Sequence, residues 1–127
     1  MIVLDSSAAA AALLGEGSSR ALAAREQLHA PHLIDAEIAS TLRRLVAGGR
    51  LDAGTGQTLL ATWSQLTVVR HTVHPLLARM WELRENVSAY DATYVALAEA
   101  LGCTLLTADT RLARAPGLNC PVTVVPN

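Results

Sequence analysis

Short apolar runs alternate with longer segments of helical periodicity along this chain of 127 residues. Apolar runs rich in β-branched residues predict strands, whereas apolar positions that recur every three or four residues predict helices. Strands are predicted at residues 2–5, 67–70, 103–107 and 122–125, and residues 29–32 predict a short strand or its loop. Pro31 in that last run indicates an edge strand or a strand end, because proline has no amide hydrogen to donate.

The helical segments are bounded by recognisable start and stop residues. Helices are predicted at residues 7–14, 18–27, 33–47, 52–65, 75–85, 88–101 and 109–113. Ser18, Asp52 and Ser88 are the predicted N-caps, and Gly102 is a predicted helix end. The apolar positions of segment 75–85 are Leu76, Leu77, Met80 and Leu83. Strands that alternate with helices indicate an α/β fold, with a mostly parallel sheet of four to five strands covered by helices.

Four acidic residues fall at positions that are unusual for surface charges. Asp5 ends the first predicted strand, and Asp109 lies two residues after the apolar run 103–107. Both therefore belong to the carboxyl edge of the sheet, where parallel α/β proteins place their working sites. Asp91 shares a helical stripe with Tyr94 and other apolar residues, and Glu37 lies near the apolar stripe of its own helix.

Gathering these carboxylates has a physical cost that a cation would remove. An ionised carboxylate is costly to bury without a partner, and neighbouring carboxylates raise one another's pKa. The helices supply no basic residue on the same stripes. Ligands that are all oxygen favour Mg²⁺ or Mn²⁺ over zinc. Such an ion at an open sheet edge suits phosphodiester hydrolysis, because it lowers the pKa of a bound water and stabilises charge on the phosphate.

Each acid also has a simpler structural explanation. Asp5 and Asp109 are each placed to cap the helix that follows, and Ser88 with Asp91 resembles a capping box. Glu37 has the alternative of being an exposed charge. The location that the four acids share, rather than any one of them, favours a metal site.

Composition and charge narrow the class of protein. About half of the residues are hydrophobic, as is typical of a globular chain, and residues 1–127 have the length of one domain. The formal net charge is −1, and all ten basic residues are arginines. No apolar run is long enough to span a membrane, and the chain does not start like a signal peptide, so we expect a cytoplasmic location. Cys103 and Cys120 are expected to be unpaired thiols in that reducing compartment.

Three segments then occur in a familiar order. They are Ile2-Val3-Leu4-Asp5-Ser6-Ser7, Asp35-Ala36-Glu37-Ile38, and the block from Ser88-Ala89-Tyr90-Asp91 through Gly102 that leads into Leu105-Leu106-Thr107-Ala108-Asp109. Together they resemble the PIN-domain ribonucleases, and more narrowly the VapC-type toxins of bacterial toxin–antitoxin pairs. The resemblance spans nearly the whole chain, and the block from Ser88 to Asp109 is its most specific part.

The resemblance implies a fold, an activity and partners. The fold would be a three-layer α/β/α PIN-like domain. Asp5, Glu37, Asp91 and Asp109 would match the family's acidic quartet, and Ser6 and Thr107 its supporting hydroxyls. The activity would be endonucleolytic cleavage of RNA with Mg²⁺ or Mn²⁺. The protein would form a homodimer and would be inhibited by a cognate VapB-type antitoxin that lays a peptide across the acidic cleft.

One departure from the family pattern concerns the number of ions. Many relatives carry another acid or an asparagine directly after the last aspartate, and an aromatic residue three positions on, where this chain has Thr110 and Leu112. A fifth ligand is therefore missing. This leaves open a site with one ion, or with a second ion that arrives with the RNA.

The residues suggest a division of roles, which we state as a hypothesis. Asp5, Asp91 and Asp109 would hold the main ion, and Glu37 would orient or deprotonate the attacking water. Arg111 and Arg114, close after Asp109, are the candidates for holding a phosphate. Arg43, Arg44 and Arg50 could contact RNA phosphates or an acidic partner, although a favourable interaction with the helix C-terminus is the simpler explanation.

Other sites and functions fit the sequence less well. The pairs His29/His32 and His71/His74 lack the spacing and the further ligands of a zinc site. A haloacid-dehalogenase-type phosphatase needs a second aspartate two residues after Asp5, and a phosphorelay receiver needs a lysine, which this chain does not contain. The main alternative to a nuclease is a PIN-like module that binds RNA or a protein without cutting.

Overall fold

A computed structural model describes residues 1–15, 24 and 26–126. The helix predicted to begin at Ser18 lies outside the described residues. The strands are β1 (Ile2–Leu4), β2 (Leu28–Pro31), β3 (Val68–His71), β4 (Thr104–Thr107) and β5 (Val122–Val124). The helices are α1 (Ser6–Leu14), α2 (Leu33–Ala47), α3 (Ala53–Gln65), a 3-10 turn (His74–Leu76), α4 (Leu77–Glu82), α5 (Ala89–Leu101) and α6 (Thr110–Ala113).

All five strands are parallel and form one sheet in the order β3-β2-β1-β4-β5. Helices α1, α2 and α3 pack against one another beside the sheet, and α5 contacts β1, β2 and β4 with α4 packed against it. The predicted parallel α/β architecture is therefore confirmed. The chain moves outward from β1 to β2 in one direction and to β4 in the other. This reversal opens a crevice at the carboxyl ends of β1 and β4, where such folds bind ligands.

The core lies on both sides of the central strands. Val3 of β1 and Leu105 of β4 are fully buried, as are Ile34 and Ile38 of α2. Pro31 is the last residue of β2, which lies between β3 and β1, so it marks a strand end rather than an edge strand. Because β1 is hydrogen-bonded to a parallel strand on each side, the position of its carboxyl end is fixed within the sheet.

Besides its buried apolar residues, a group of polar contacts at Asp35 fixes the beginning of α2. The Arg70 guanidinium of β3 donates to Asp35 through Nε (2.7 Å to Oδ2) and Nη2 (2.8 Å to Oδ1), and the indole of Trp63 donates to Oδ1 at 2.8 Å. The hydrogen bonds from Arg70 lower the pKa of Asp35, more than burial raises it. Helix α2 is thus tied to β3 and α3 two residues before Glu37.

Most predicted helix ends are confirmed. Asp52 is the N-cap of α3, and its side chain accepts a hydrogen bond from the Thr55 amide at 2.9 Å. Ser88 is the N-cap of α5, and its hydroxyl accepts from the Asp91 amide at 3.1 Å. Gly102 ends α5 at φ +64°, a left-handed conformation that glycine adopts at little cost.

The helix predicted over residues 75–85 is wrong in its extent. Pro75 lies in the 3-10 turn, and α4 ends at Glu82 because the amides of Asn86 and Val87 both bond to the carbonyl of Leu83. Leu77 is 55% exposed instead of belonging to the apolar stripe. The 3-10 turn at its start and the tight turn after Leu83 therefore leave a shorter α-helix than the apolar spacing alone predicts.

None of the helices in the described residues has the length and apolar character needed to cross a lipid bilayer. Cys103 and Cys120 are both free thiols, and burial raises the pKa of Cys120 to about 11.

The packing predicts a large loss of stability when Ile38 is shortened. Ile38→Ala removes a fully buried side chain from beneath α2, so the free energy of unfolding should fall by about 2–5 kcal/mol. Leu60→Ala is the matched control, because Leu60 is 38% exposed and its loss should cost less than about 1 kcal/mol. Urea unfolding of both variants measures the difference, and equal losses would contradict this account of the core.

Candidate active site

Asp5 is a buried acid at the junction between β1 and α1. Its side chain is only 4% exposed. Oδ1 accepts hydrogen bonds from the Ala8 amide (2.9 Å) and the Ser7 hydroxyl (2.6 Å), so Asp5 is the N-cap of α1. Burial raises the pKa of Asp5 above its usual value, although hydrogen bonds from Ser7, Thr107 and the backbone partly offset the effect.

A second N-cap aspartate in the same chain shows that the burial and raised pKa of Asp5 are unusual for a cap. Asp52 caps α3 in the same manner, with its side chain bonded to the amide and hydroxyl of Thr55. These hydrogen bonds lower the pKa of Asp52, which is fully exposed. The cap explanation is therefore correct for Asp5 but incomplete, because capping alone does not call for a desolvated carboxylate.

The ends of β1 and β4 are joined through the hydroxyl of Ser7. Besides donating to Asp5, the Ser7 oxygen accepts from the Ala108 amide at 2.9 Å and lies 3.2 Å from the Thr107 hydroxyl. The Thr107 hydroxyl in turn accepts from the Asp109 amide at 3.0 Å. Asp5 and Asp109 are thus held in one hydrogen-bonded unit.

The role of Ser6 as a supporting hydroxyl, which the resemblance implies, stays a prediction, but Ser6 is not the residue that donates to Asp5 Oδ1. The donor is Ser7, the next residue in the chain. Ser6 instead lies near the Tyr94 hydroxyl and lines a neighbouring groove. Thr107 lies where the sequence predicts it, fully buried and in contact with Ser7.

Asp91 and Asp109 face the same region as Asp5. Asp91 lies in the first turn of α5, half-buried. Burial raises its pKa, and the negative charges of Asp5 and Asp109 raise it further, while Ser88 and Arg111 act in the opposite direction. Asp5 and Asp109, which belong to two other segments, are therefore close enough to Asp91 to oppose its ionisation.

Asp109 is the N-cap of α6, in agreement with the sequence-based alternative that it caps the helix that follows. Its Oδ1 accepts from the Arg111 amide at 2.9 Å, and the Arg111 guanidinium lies 3.5 Å from the same oxygen. The Arg111 side chain is 91% exposed, so this ion pair is weak. Asp91, Asp109 and Arg111 line a common cavity of about 420 Å³, and Arg114 is exposed and outside that lining.

Glu37 reaches the site through a tyrosine that the sequence did not identify as a site residue. The Tyr94 hydroxyl of α5 donates a short hydrogen bond to Glu37 Oε1, although Tyr94 is 1% exposed. Burial, then the neighbouring Glu37 carboxylate, holds the pKa of Tyr94 far above its usual value. Asp5 and the Ser6 hydroxyl also act on this phenol. The signal available in the sequence was the spacing of Tyr94, one helical turn after Asp91.

The acids do not form a closed ligand cage. In residues 1–15, 24 and 26–126, no three acidic, histidine or cysteine side chains converge as a ready-made metal site. Asp5, Asp91 and Asp109 influence one another electrostatically, and Glu37 is held beside them by Tyr94. Mutual repulsion keeps such carboxylates apart, and a divalent cation is the group that would relieve it.

Two histidines contact each other across neighbouring strands, not within the pairs His29/His32 and His71/His74 that their sequence spacing suggests. His29 Nδ1 lies 2.8 Å from His71 Nε2 across β2 and β3, and the second ring nitrogen of His29 lies 3.1 Å from Gln27. Burial, together with the charge of His71, lowers the pKa of His29. The contact therefore joins His29 of the first suggested pair to His71 of the second.

Comparison with known proteins places these features in a family. A family model described as "PIN domain" matches residues 2–118. The chain is 58% identical over 126 residues to VapC ribonuclease Mb0985 of Mycobacterium bovis, which covers 99% of both chains. It is 42% identical to ribonuclease VapC1 of Mycobacterium tuberculosis, over 97% of this chain and 96% of that one.

Solved structures share the fold at low sequence identity. PAE2754 from Pyrobaculum aerophilum superposes with a TM-score of 0.73 at 24% identity, over 95% of this chain and 81% of that one. VapBC2 from Rickettsia felis, solved bound to a promoter DNA fragment, gives a TM-score of 0.72 at 17% identity over 98% of each chain.

The contacts of the two adjacent serines predict different effects of removing their hydroxyls. Ser7→Ala leaves the Ala108 amide without its acceptor and removes one of the donors to Asp5, which keeps the Ala8 amide. We expect a loss of about 1–2 kcal/mol in the free energy of unfolding. Ser6→Ala should cost less, about 0.5 kcal/mol, because the Tyr94 hydroxyl beside Ser6 keeps its hydrogen bond to Glu37. Thermal unfolding of both variants measures this order, and the reverse order would refute the importance of the Ser7 junction.

Proposed function

The chain belongs to the PIN-domain family as a VapC-type ribonuclease toxin, and we propose that Asp5, Asp91 and Asp109 hold the divalent cation with which it cuts RNA. The observation that carries this proposal is that these acids, buried or half-buried, face one region beside the ends of β1 and β4, where the charges of Asp5 and Asp109 act on Asp91. The nearest cation in the described residues is the exposed Arg111. Capping explains Asp5 and Asp109 one by one, but it does not explain why three carboxylates face one region, so a ligand is the better explanation.

The residues present fit a hard divalent cation. Ribonucleases of the PIN family imply such an ion, and the carboxylate oxygens support Mg²⁺ or Mn²⁺ as its identity. The hydrogen bonds to Asp5 from the Ser7 hydroxyl and the Ala8 amide reach Oδ1, and the Arg111 amide likewise donates to Oδ1 of Asp109. Capping and cation binding can therefore use different oxygens of the same carboxylate. When bound, the ion would lower the pKa of a water and stabilise charge on the phosphate.

The remaining residues have roles that follow from their contacts. Ser7 and Thr107 hold Asp5 in place, and Glu37 orients or deprotonates the attacking water at the open side of the site. Tyr94 positions Glu37 by donating to Oε1, which fixes the rotamer of a long and otherwise mobile side chain. Arg111 lies at the mouth of the cavity, where it can bind the phosphate of the substrate, and Arg114 is available beside it.

A VapB-type antitoxin is the proposed protein partner, with the cytoplasm as the place of action. The fold of this chain is that of the toxin in a solved VapBC pair, which supports a partner of the same type. We also propose a homodimer. Exposed apolar side chains on α4 and at the start of α5 support it, since Leu77, Trp81 and Tyr90 are 55%, 69% and 63% exposed.

The proposal predicts that Asp5→Asn and Asp91→Asn each abolish cleavage without unfolding the protein. Asparagine can still cap a helix, but it lacks the charge that holds a cation. We expect cleavage of a labelled RNA in Mn²⁺ to fall by about a factor of 1,000 or more, because the cation supplies several kcal/mol of stabilisation. EDTA should have the same effect on the unaltered protein.

Asp52→Asn is the control, because Asp52 caps α3 away from the site. It should cleave at the rate of the unaltered protein. A second readout is independent of activity: Mg²⁺ should raise the Tm of the unaltered protein and of Asp52→Asn but not of Asp91→Asn. Full cleavage by both site variants would refute the role of these acids.

The contact between Tyr94 and Glu37 predicts a purely catalytic defect. Tyr94→Phe should lower kcat by about 10- to 100-fold, because a misplaced base costs rate rather than binding. KM should stay within about twofold, since nothing in the proposal places the phenol on the substrate. Tyr90→Phe is the matched control, because that tyrosine is 63% exposed. Equal kcat values in the two variants would contradict a positioning role for Tyr94.

A further inference from the structure

A groove between α1 and α2 reaches the acidic site at Asp109. It has a volume of about 710 Å³, and it is lined by Ser6, Ala11, Thr41, Arg44, Leu45 and Asp109 among others. Asp109 also lines the cavity of about 420 Å³ that contains Arg111. The two cavities therefore meet at one of the proposed cation ligands.

Arg44 is the cation of this groove. It is exposed, and its two terminal nitrogens donate to the hydroxyls of Ser40 (3.2 Å) and Thr41 (3.3 Å) on its own helix. Hydroxyl groups orient a guanidinium without neutralising it. In the part of the chain that the structure describes, Arg70, Arg79 and Arg111 have carboxylate partners within 4.0 Å, whereas Arg44 has none.

Its neighbour Arg43 provides a comparison on the same turn of helix. Arg43 is also exposed, lies one residue further from the helix C-terminus, and is not part of the groove lining. The helix dipole favours Arg44 more, because Arg44 is the basic residue of the last turn, so the dipole alone does not indicate a ligand. Only Arg44 combines that position with the wall of a groove that ends at Asp109.

We propose that Arg44 binds a backbone phosphate of the RNA, so that the strand leaves the acidic site along the groove between α1 and α2. The inference rests on the proposed function and names the path of its substrate. An RNA strand whose scissile phosphate lies at the acids must continue on both sides, and an arginine lines each of the two cavities that meet there. The guanidinium fork suits phosphate oxygens, and such contacts position a strand without reading its bases.

The test measures binding separately from cutting. Arg44→Gln and Arg43→Gln are each made in the cleavage-blocked Asp91→Asn protein, and anisotropy of a labelled single-stranded RNA of mixed sequence is followed over a salt series. Loss of one phosphate contact should weaken binding about fivefold at 0.1 M salt and reduce the slope of log K against log salt by about 0.7. Arg43→Gln should leave both unchanged. Arg44→Lys should restore the slope, which a role confined to the Ser40 and Thr41 hydroxyls does not predict.

Equal affinity and slope for Arg44→Gln and Arg43→Gln would overturn the inference, and would leave Arg44 to an acidic protein partner or to the helix C-terminus. Metal-dependent cleavage by the otherwise unaltered protein is scored in parallel. If that cleavage is present while the two arginine variants bind alike, the groove inference alone fails. If cleavage is absent, the proposed function fails, whatever the arginines do.

Discussion

The hydroxyl of Ser7 is the contact on which the arrangement of the site depends. One oxygen atom bonds to the carboxylate of Asp5, to the amide of Ala108 and to the hydroxyl of Thr107. It thereby connects the first turn of α1 with the end of β4, two segments that are about 100 residues apart in the chain. Because β1 and β4 are already paired in the sheet, this small polar junction sets the distance between Asp5 and Asp109.

Burial of Asp5 gives that junction its chemical consequence. A carboxylate at the centre of the sheet edge is costly while ionised, and Asp91 and Asp109 add their repulsion. The surrounding core, with Val3 and Leu105 fully buried beneath it, supplies the stability that offsets this cost. The fold thus holds charges together that would otherwise separate, and a bound cation turns the resulting potential into affinity.

The sequence allowed the positions of the aspartates to be predicted because those positions follow from local rules. A strand end locates Asp5 and Asp109, and helical periodicity locates Asp91. Ser6 and Ser7 could not be told apart in this way, since both follow the strand and only the rotation of α1 decides which hydroxyl faces Asp5. The contact of Tyr94 with Glu37 depends on packing between α5 and α2, and no local pattern contains it. The same holds for the bidentate pair of Arg70 and Asp35, because these two residues are 35 positions apart in the chain.

The alanine-rich face of α1 has a consequence for how a strand could enter the groove. Ala10 and Ala11 form part of its wall, and their side chains end at Cβ. Such a wall has no rotamers to freeze, whereas each long side chain ordered on binding costs about 0.5–1.5 kcal/mol. The part of the wall that Ala10 and Ala11 form is therefore shaped by the backbone of α1, and a strand in the groove would meet that part in the same form before and after binding.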